Sequence, residues 1–239
     1  FIVSGQDDTG AGFDQYSIGL FGIEGRDGTY RDAEDGELSM SPVEHGRVDS
    51  TIRFRFELDP HSSARAYYWI ACGTSTREAL YVHKQIVAQG VHERFSVTSK
   101  AWQKWLAPAR KISEKIAPEH RSQFLRSTLL IKAHIDKRGA VIASTDSGML
   151  NYWRDAYAYC WPRDGAYVLW PLIRMGYHEE AHQFFDFCRR ALNPGGFLMH
   201  KYRADGALGS SWHPYLHEHG VVSPPIQEDE TALVLFVFA

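Results

Sequence analysis

Arginine and aspartate stand side by side at the start of a predicted helix, in the stretch YAYCWPRDGAY that begins at Tyr157. Proline suits the first turn of a helix, so Pro162 places Arg163 and Asp164 at the helix mouth. A cation there is unfavourable by up to about 1 kcal/mol, because it opposes the helix dipole. Some other interaction must therefore hold Arg163 in place.

This arginine and aspartate pair offers chemistry that suits a sugar. A guanidinium beside a carboxylate presents donors and acceptors side by side, and vicinal hydroxyl groups need both. Tyr157 and Trp161 flank the pair and would supply a flat apolar wall on which a sugar ring can stack. The alternative is a buried structural ion pair, and the residues alone leave both interpretations open.

A second group of candidates lies in the stretch Gln227-Glu-Asp-Glu230, just before an apolar run. Hydrolysis of a glycoside needs two carboxyl groups on opposite sides of the bond. Glu228 and Asp229 cannot form that pair by themselves, because neighbours in a helix do not face each other. A single member could point inward, and Glu230 is a candidate. The alternative is that these acids only complement a helix dipole.

One stretch matches a zinc motif. In the pattern HExxH, two histidines on one helix face bind zinc and the glutamate acts as a base, and His178-Glu-Glu-Ala-His182 has that spacing. The longer version of the motif is absent, since Phe185 stands where its glycine would be. We therefore expect a solvated helix start and no metal.

Two further clusters resemble ligand sets. The stretch DAEDGE, residues 32–37, is similar to a calcium loop, but its glycine comes one position early, so it predicts a turn. His213, His217 and His219 lie in WHPYLHEHG, which has no clear helical pattern. We interpret them as loop residues beside a cleft, not as a metal site.

The elements that must position the candidates are helices. Apolar periodicity predicts helices from Glu119 onward, with Gly139 as a stop. A hairpin follows, with helices over Arg163–Met175 and residues 178–192, and Gly176 suits the left-handed cap between them. A further helix begins at Glu228. Repeated hairpins either stack in a line or close into a ring, and the sequence leaves that choice open.

The first part of the chain reads as β-structure. Apolar and polar residues alternate over Val48–Leu58, which predicts a half-buried antiparallel strand with Val48, Ser50 and Ile52 on its buried face. Residues 16–23 and 65–72 resemble further strands, separated by polar turns, which suggests a sandwich. Ser75 and Glu78 form a capping box that opens a helix ending at Gly90. A second short helix is predicted near residues 98–106, and APARKISEKIAPEH resembles a connector.

The predicted fold class is therefore a β domain followed by an all-α domain. We assign residues 1–73 to a partial β-sandwich, 74–118 to a helical linker and 119–239 to the start of a helical domain.

Composition narrows the classes of function. The chain has 239 residues and a net charge of −3, so nothing indicates a nucleic-acid or membrane partner. Its 3 cysteines have no CxxC spacing, which favours a reducing, cytoplasmic compartment. The sequence begins with phenylalanine and ends within an apolar helical pattern. We expect it to be a piece of a longer protein.

At this point the motifs resemble those of a known family. YAYCWPRDGAY is similar to the signature of family 15 glycoside hydrolases, the glucoamylase and glucodextranase group that includes some trehalases. The order of a sandwich, a helical linker and helix hairpins is similar too, as is the QxDExA helix start at Gln227–Ala232. GTYRDAEDGELS followed by VDS resembles the sandwich domain of prokaryotic members. The resemblance covers nearly the whole chain.

The resemblance implies an (α/α)6 barrel with a pocket for the glucose at a non-reducing end. Arg163 and Asp164 would hold hydroxyl groups of that glucose, and Tyr157 and Trp161 would wall the same pocket. We add Gln227 and Asp229 of the QxDExA segment to the predicted substrate-binding residues.

The same family implies hydrolysis with inversion, by a glutamate acid and a glutamate base that stand about 6.5–9.5 Å apart. The acid would lie in a Trp-Glu-Glu-like segment downstream of QxDExA, and the base further on. Neither segment occurs here, so we expect the catalytic carboxylates outside this chain, with Glu230 as the one candidate inside it. About three or four of the twelve barrel helices would be present.

We therefore expect a glucoamylase-like α-glucoside hydrolase that acts on α-linked glucose oligosaccharides or polysaccharides and needs no cofactor. Trehalose, isomaltose and dextran are alternative substrates within the family. A non-catalytic carbohydrate-binding fragment is the alternative from another class of protein. The sequence leaves the oligomeric state open.

Overall fold

The computed structural model describes residues 1–145, 157–210, 218–220, 222–224 and 226–239. The chain divides into two compact units, Phe1–Ser99 and Lys100–Ala239. The boundaries expected from the sequence, after residues 73 and 118, stay a prediction.

The first unit contains four strands in two antiparallel pairs. β1 (Ile2–Asp7) pairs with β4 (Ala66–Ala71), and β2 (Gln15–Leu20) pairs with β3 (Val48–Arg53). The strands predicted near residues 16–23 and 65–72 are thus present, and β1 was not predicted. The strand predicted over 48–58 ends at residue 53. The sandwich itself stays a prediction.

The buried face of β3 differs from the prediction. The side chain of Val48 is 43% exposed, and Ser50 is exposed too. Asp49 instead accepts hydrogen bonds from the Thr29 backbone N–H at 3.0 and 3.1 Å, and the hydroxyls of Thr29 and Thr51 lie 2.8 Å apart. The polar face is therefore covered at Asp49 and Thr51, because the segment around Thr29 packs on it through hydrogen bonds, whereas on the predicted face only Ile52 of these three residues is half-buried.

The stretch DAEDGE forms the predicted turn. Residues Asp32–Asp35 make a short 3-10 helix, which ends at Gly36 with a φ of 85°. The Asp32 carboxylate accepts from the backbone N–H and the hydroxyl of Ser39, and these bonds lower the pKa of Asp32. Asp35 accepts from the Glu37 backbone N–H. These two carboxylates are used to close the turn.

Two longer helices follow the strands, α1 (Thr76–Gln89) and α2 (Val91–Trp105). The predicted capping box opens α1, since the Ser75 hydroxyl accepts the Glu78 backbone N–H at 3.2 Å. The Glu78 carboxylate reaches back to Thr74, where it accepts from the backbone N–H and the hydroxyl. α2 begins seven residues earlier than the predicted start at residue 98, directly after Gly90.

The other α-helices among the described residues are α3 (Ala107–Ser113), α4 (Pro118–Ala133), α5 (Pro162–Arg174), α6 (His178–Ala191) and α7 (Glu228–Phe238). A short 3-10 turn covers Glu218–Gly220. The stretch predicted to be a connector contains α3, which corrects that prediction. Proline at the start of a helix costs no hydrogen bond, so Pro108 and Pro118 begin helices here instead of interrupting them.

The predicted hairpin of α5 and α6 is confirmed. Gly176 has a φ of 91°, and the backbone N–H of Tyr177 reaches back to the Leu172 carbonyl at 3.0 Å. This is the left-handed cap that the sequence predicts. The hairpin and α7 share a core of fully or nearly fully buried apolar side chains, namely Ala166, Leu169, Leu172, Phe184, Phe187 and Val234. No helix within the described ranges is both long and apolar enough to cross a membrane.

Gly139 has a different role from the predicted one. α4 already ends at Ala133, and Gly139 lies in a tight turn that follows, with a φ of 97°. A Cβ atom at this position would collide with the backbone carbonyl of Gln183 in α6. Glycine is therefore needed here for close approach and not as a helix stop. Gly206 lies in a turn with the same hydrogen-bond pattern and a φ of 89°, but it has open space around it.

Gly139→Ala and Gly206→Ala separate these two effects. Both variants carry the conformational cost of a left-handed alanine, about 1 kcal/mol. Only Gly139→Ala also forces α6 to move, so we expect it to lower the free energy of unfolding by about 2–4 kcal/mol in total. Urea denaturation followed by tryptophan fluorescence measures both. Equal losses in the two variants would show that α6 does not approach this turn closely.

Candidate functional site

The Arg163 guanidinium joins the first turn of α5 to the start of α7. Its Nη1 donates to Gln227 Oε1 at 2.7 Å and to Asp229 Oδ2 at 3.1 Å, and its Nη2 donates to Asp164 Oδ2 at 3.1 Å. The structure thus brings four of the predicted substrate-binding residues into one cluster. It also explains how an arginine is accommodated at a helix N-terminus, since two carboxylates and an amide oxygen surround it.

Glu230 lies beneath this cluster and caps α5 from the neighbouring helix. Its Oε2 accepts the backbone N–H of Arg163 at 2.5 Å, and its Oε1 is 3.6 Å from Arg163 Nη1. The side chain is fully buried, and within the described part of the chain Oε1 has no hydrogen-bond partner. A helix leaves its first backbone N–H groups unsatisfied, so this carboxyl supplies an acceptor that α5 needs.

Burial raises the pKa of Glu230 to about 7, although the Arg163 backbone N–H and the Arg163 charge both act to lower it. The neighbouring carboxylates of Asp164 and Asp229 add to the rise. Near neutral pH the protonated and the ionised form of this buried carboxyl are therefore both populated. The geometry gives Glu230 the role of joining two helix starts, and the prediction of catalytic carboxylates outside this chain stays a prediction.

The upper side of the cluster is open to solvent. The side chains of Asp164 and Asp229 are 57% and 54% exposed, and that of Arg163 is 27% exposed. Partial burial acts to lower the pKa of Arg163, but its acidic neighbours outweigh this and raise it. Each carboxylate keeps free lone pairs beside a permanent cation. The cluster can therefore accept and donate hydrogen bonds to a polyhydroxylated ligand.

The two predicted aromatic residues lie together, but only one is exposed. The rings of Tyr157 and Trp161 stack with centroids 5.6 Å apart and planes 30° apart. Trp161 is buried, whereas Tyr157 is 47% exposed. The tyrosine ring is thus the accessible surface, and the indole supports it from below.

Sequence reasoning missed the side chains behind this wall. Trp161 Nε1 donates to His200 Nε2 at 3.1 Å, and Lys201 Nζ lies 4.7 Å from the Tyr159 ring centroid and 5.1 Å from that of Trp161. His200 and Lys201 are both buried. Two consecutive polar residues within the apolar stretch FLMHKY were the signal that could have indicated them.

The zinc-like motif in α6 has a structural role. Glu180 is buried and accepts from Trp105 Nε1 at 2.6 Å and from Lys132 Nζ at 2.8 Å. Burial alone would raise the pKa of Glu180, but these hydrogen bonds lower it. The predicted solvated helix start is therefore correct for the two histidines and wrong for Glu180. Across the described ranges, no group of three or more histidine, cysteine, aspartate or glutamate residues is placed to hold a metal ion.

The histidine cluster can be followed only in part. His213 and His217 lie outside the described residues. His219 is exposed and has a φ of 62°, within the 3-10 turn. The cysteines are not paired with each other: Cys160 and Cys188 are buried and Cys72 is exposed. Desolvation raises the pKa of the Cys160 thiol to about 12.

Comparison with known proteins identifies the class of the site-bearing segment. Residues 118–235 match the family described as Glycosyl hydrolases family 15. This segment contains every residue of the Arg163 cluster, and its match confirms, for this part of the chain, the resemblance expected from YAYCWPRDGAY.

Part of the chain is also similar to a named protein. The chain is 29% identical, over 162 residues, to a protein called Trehalase from Mycolicibacterium smegmatis (strain ATCC 700084 / mc(2)155). The matched region covers 62% of this chain and 23% of the relative. The chain thus corresponds to about a quarter of that protein's length.

The raised pKa of Glu230 predicts a specific pH dependence of stability. The folded state holds the proton up to about pH 7, whereas an unfolded glutamate releases it near 4.5. Glu230 therefore favours the folded state most below pH 4.5, and that advantage is lost as the pH rises through about 7. The Glu230→Gln variant has no titratable group at this position, so its stability does not change for this reason. The free energy of unfolding of the wild type should fall, relative to this variant, by about 3 kcal/mol across that range.

Urea denaturation of both proteins over this pH range measures the difference. Comparison with the variant cancels other titrations, including that of Glu180, whose lowered pKa acts in the opposite direction. A difference that does not change with pH would mean that Glu230 has the same pKa in the folded and the unfolded state.

Proposed function

We propose that this chain is part of a glycoside hydrolase that releases glucose, with inversion, from the non-reducing ends of α-glucans or maltooligosaccharides. The observation that carries the proposal is the Arg163 cluster, which the starts of α5 and α7 form within the family 15 segment.

Recognition of the sugar would use the open side of that cluster. Asp164 and Asp229 each direct an oxygen at the guanidinium and keep other lone pairs exposed, so they can accept from sugar hydroxyls. Arg163 can donate to a neighbouring hydroxyl. The exposed ring of Tyr157, held by Trp161, would support the apolar face of the glucose, and Gln227 would fix the guanidinium that orients it.

Inverting hydrolysis needs an acid that protonates the leaving oxygen and a base that activates water on the opposite side, about 6.5–9.5 Å away. We propose that both carboxylates come from parts of a longer protein outside this sequence, a Trp-Glu-Glu-like segment and a later glutamate. Glu230 would position the binding residues and take no part in bond cleavage.

The surface of α7 supports a larger helical domain. After its acidic first turn its sequence is apolar on all sides, and Leu235, Phe236 and Phe238 are 62%, 62% and 67% exposed. Helices of this kind are normally buried on every side. Further helices that cover this surface would extend the α5–α6 hairpin and α7 towards the (α/α)6 barrel, and a sandwich would precede it.

The named relative favours a second candidate substrate. Because the matched protein is called Trehalase, α,α-trehalose is the first alternative to an α-glucan. Isomaltose, dextran and a purely carbohydrate-binding role are the others. We further infer a cytoplasmic location from the three unpaired cysteines, since thiols persist in reducing compartments.

Replacement of Asp164 tests the binding site in the full protein. Asp164→Asn keeps the shape of the side chain but removes the negative charge of the carboxylate that accepts a hydrogen bond from a sugar hydroxyl. Hydrogen bonds to charged groups contribute about 1.5–3 kcal/mol, so we expect kcat/KM for the best substrate among maltose, isomaltose and trehalose to fall about 10- to 150-fold.

Asp186→Asn is the matched control. Asp186 is an exposed carboxylate on α6 that pairs with Arg189 at the surface, and its replacement should leave kcat/KM within about twofold, since exposed pairs contribute little. Activity of Asp164→Asn within a few-fold of the wild type would show that the site has been assigned to the wrong residues.

A further inference from the structure

We propose that His200 is a positioning residue for the aromatic wall: its neutral imidazole accepts the Trp161 indole N–H and fixes the plane on which Tyr157 stacks. This role of His200 rests on the proposed function only in so far as the Tyr157 and Trp161 rings are taken as a sugar-binding surface. The geometry of the indole and the imidazole stands independently of any ligand.

The indole of Trp161 requires an acceptor. Its ring is buried, and a buried indole N–H that lacks a partner is costly, because the group can only donate. His200 Nε2 lies 3.1 Å from Trp161 Nε1, and the two rings meet edge to face with planes 77° apart. This bond helps to fix the orientation of the indole, because a rotation of the ring would separate Nε1 from its acceptor.

The direction of this hydrogen bond defines the protonation state of His200. Because the indole donates, Nε2 must be the nitrogen without a proton, so the proton of the neutral ring is on Nδ1. An imidazolium would present a donor to a donor and break the contact. Lys201 is the next residue and its ammonium lies over the same indole, which also disfavours a second positive charge beside it.

The backbone that carries His200 is tied to the same helix starts as the cluster. Cys160 and Tyr202 exchange two backbone hydrogen bonds at 2.7 and 2.8 Å, which join this segment to the residues just before α5. The Leu198 backbone N–H donates to the hydroxyl of Thr231 in α7 at 2.9 Å. His200 therefore approaches Trp161 from a segment anchored on both sides.

The chain of contacts ends at an exposed surface. Trp161 is buried and stacks on Tyr157, which is about half exposed. Tyr159 meets the edge of the same indole, with centroids 6.1 Å apart. A rotation of the indole would thus shift the ring that faces solvent. His200 influences the surface without contacting a ligand, so it is a positioning residue and not a catalytic one.

A pair of variants with the same functional group tests this role in the full protein. The amide oxygen of His200→Gln can occupy the position of Nε2, whereas that of His200→Asn reaches only as far as Nδ1. The probe is the indole N–H resonance of Trp161 in protein with isotope-labelled tryptophan, assigned with Trp161→Phe. The indole of Trp105, which donates to Glu180, reports whether the fold is intact.

We expect the Trp161 resonance to move in His200→Asn and to stay near its wild-type position in His200→Gln, while the Trp105 resonance stays in place in both. The dissociation constant for maltose or trehalose should rise about tenfold in His200→Asn, because one hydrogen bond is lost. In His200→Gln, which keeps an acceptor for the indole, it should remain within about threefold of the wild type.

An unmoved Trp161 resonance in His200→Asn would overturn the proposal. So would a moved resonance with unchanged sugar affinity, because the indole would then not set the sugar-binding surface. If the resonances behave as expected but the wild type binds neither sugar, the proposed function fails and the role of His200 in orienting Trp161 stands.

Discussion

One guanidinium connects the two helix starts on which the candidate site depends. An arginine in the first turn of a helix opposes the dipole, so α5 alone would be destabilised by Arg163. The start of α7 removes this conflict, because Gln227 and Asp229 surround the cation. In return, Glu230 accepts the first free backbone N–H of α5. Each helix start is therefore completed by the other.

This arrangement joins exposed and buried carboxyl groups through one cation. Asp164 and Asp229 are exposed, and they share the guanidinium with the buried Glu230. Glu230 is the buried member, and its raised pKa reflects the cost of placing a carboxyl there without full compensation. Strongly perturbed carboxyls often indicate catalysis, but they also occur in structural networks. The full burial of Glu230 and its use as a helix cap favour the second interpretation here.

Local sequence signals predicted the α5–α6 hairpin and the capping box, because apolar periodicity, capping residues and turn glycines depend only on residues a few positions apart. The same signals failed at α3, because the stretch that contains it was interpreted as a connector. They also failed at β3, whose covered face is set by hydrogen bonds to Thr29, a residue about twenty positions away. Alternation alone does not identify which face another segment covers.

The sequence indicated the residues of the Arg163 cluster one by one but not the contacts between them. The motif YAYCWPRDGAY indicated Arg163, and the QxDExA segment indicated Gln227 and Asp229, yet nothing local shows that they touch across more than sixty residues. The buried contact from Trp161 to His200 was missed for the same reason, since it joins residues 39 positions apart. Pairings of this kind depend on how helices pack, which short-range patterns do not encode.

The most direct test of sugar recognition at the α5 and α7 starts is the side-chain resonance of Arg163 during a titration of the full protein with maltose and with trehalose. The account predicts a saturable shift of the Arg163 guanidinium signal with at least one of these sugars. Arg189, which pairs with Asp186 on the exposed face of α6, should not respond. An Arg163 signal that stays unchanged while either sugar binds would contradict the assignment of this cluster as the sugar-binding site.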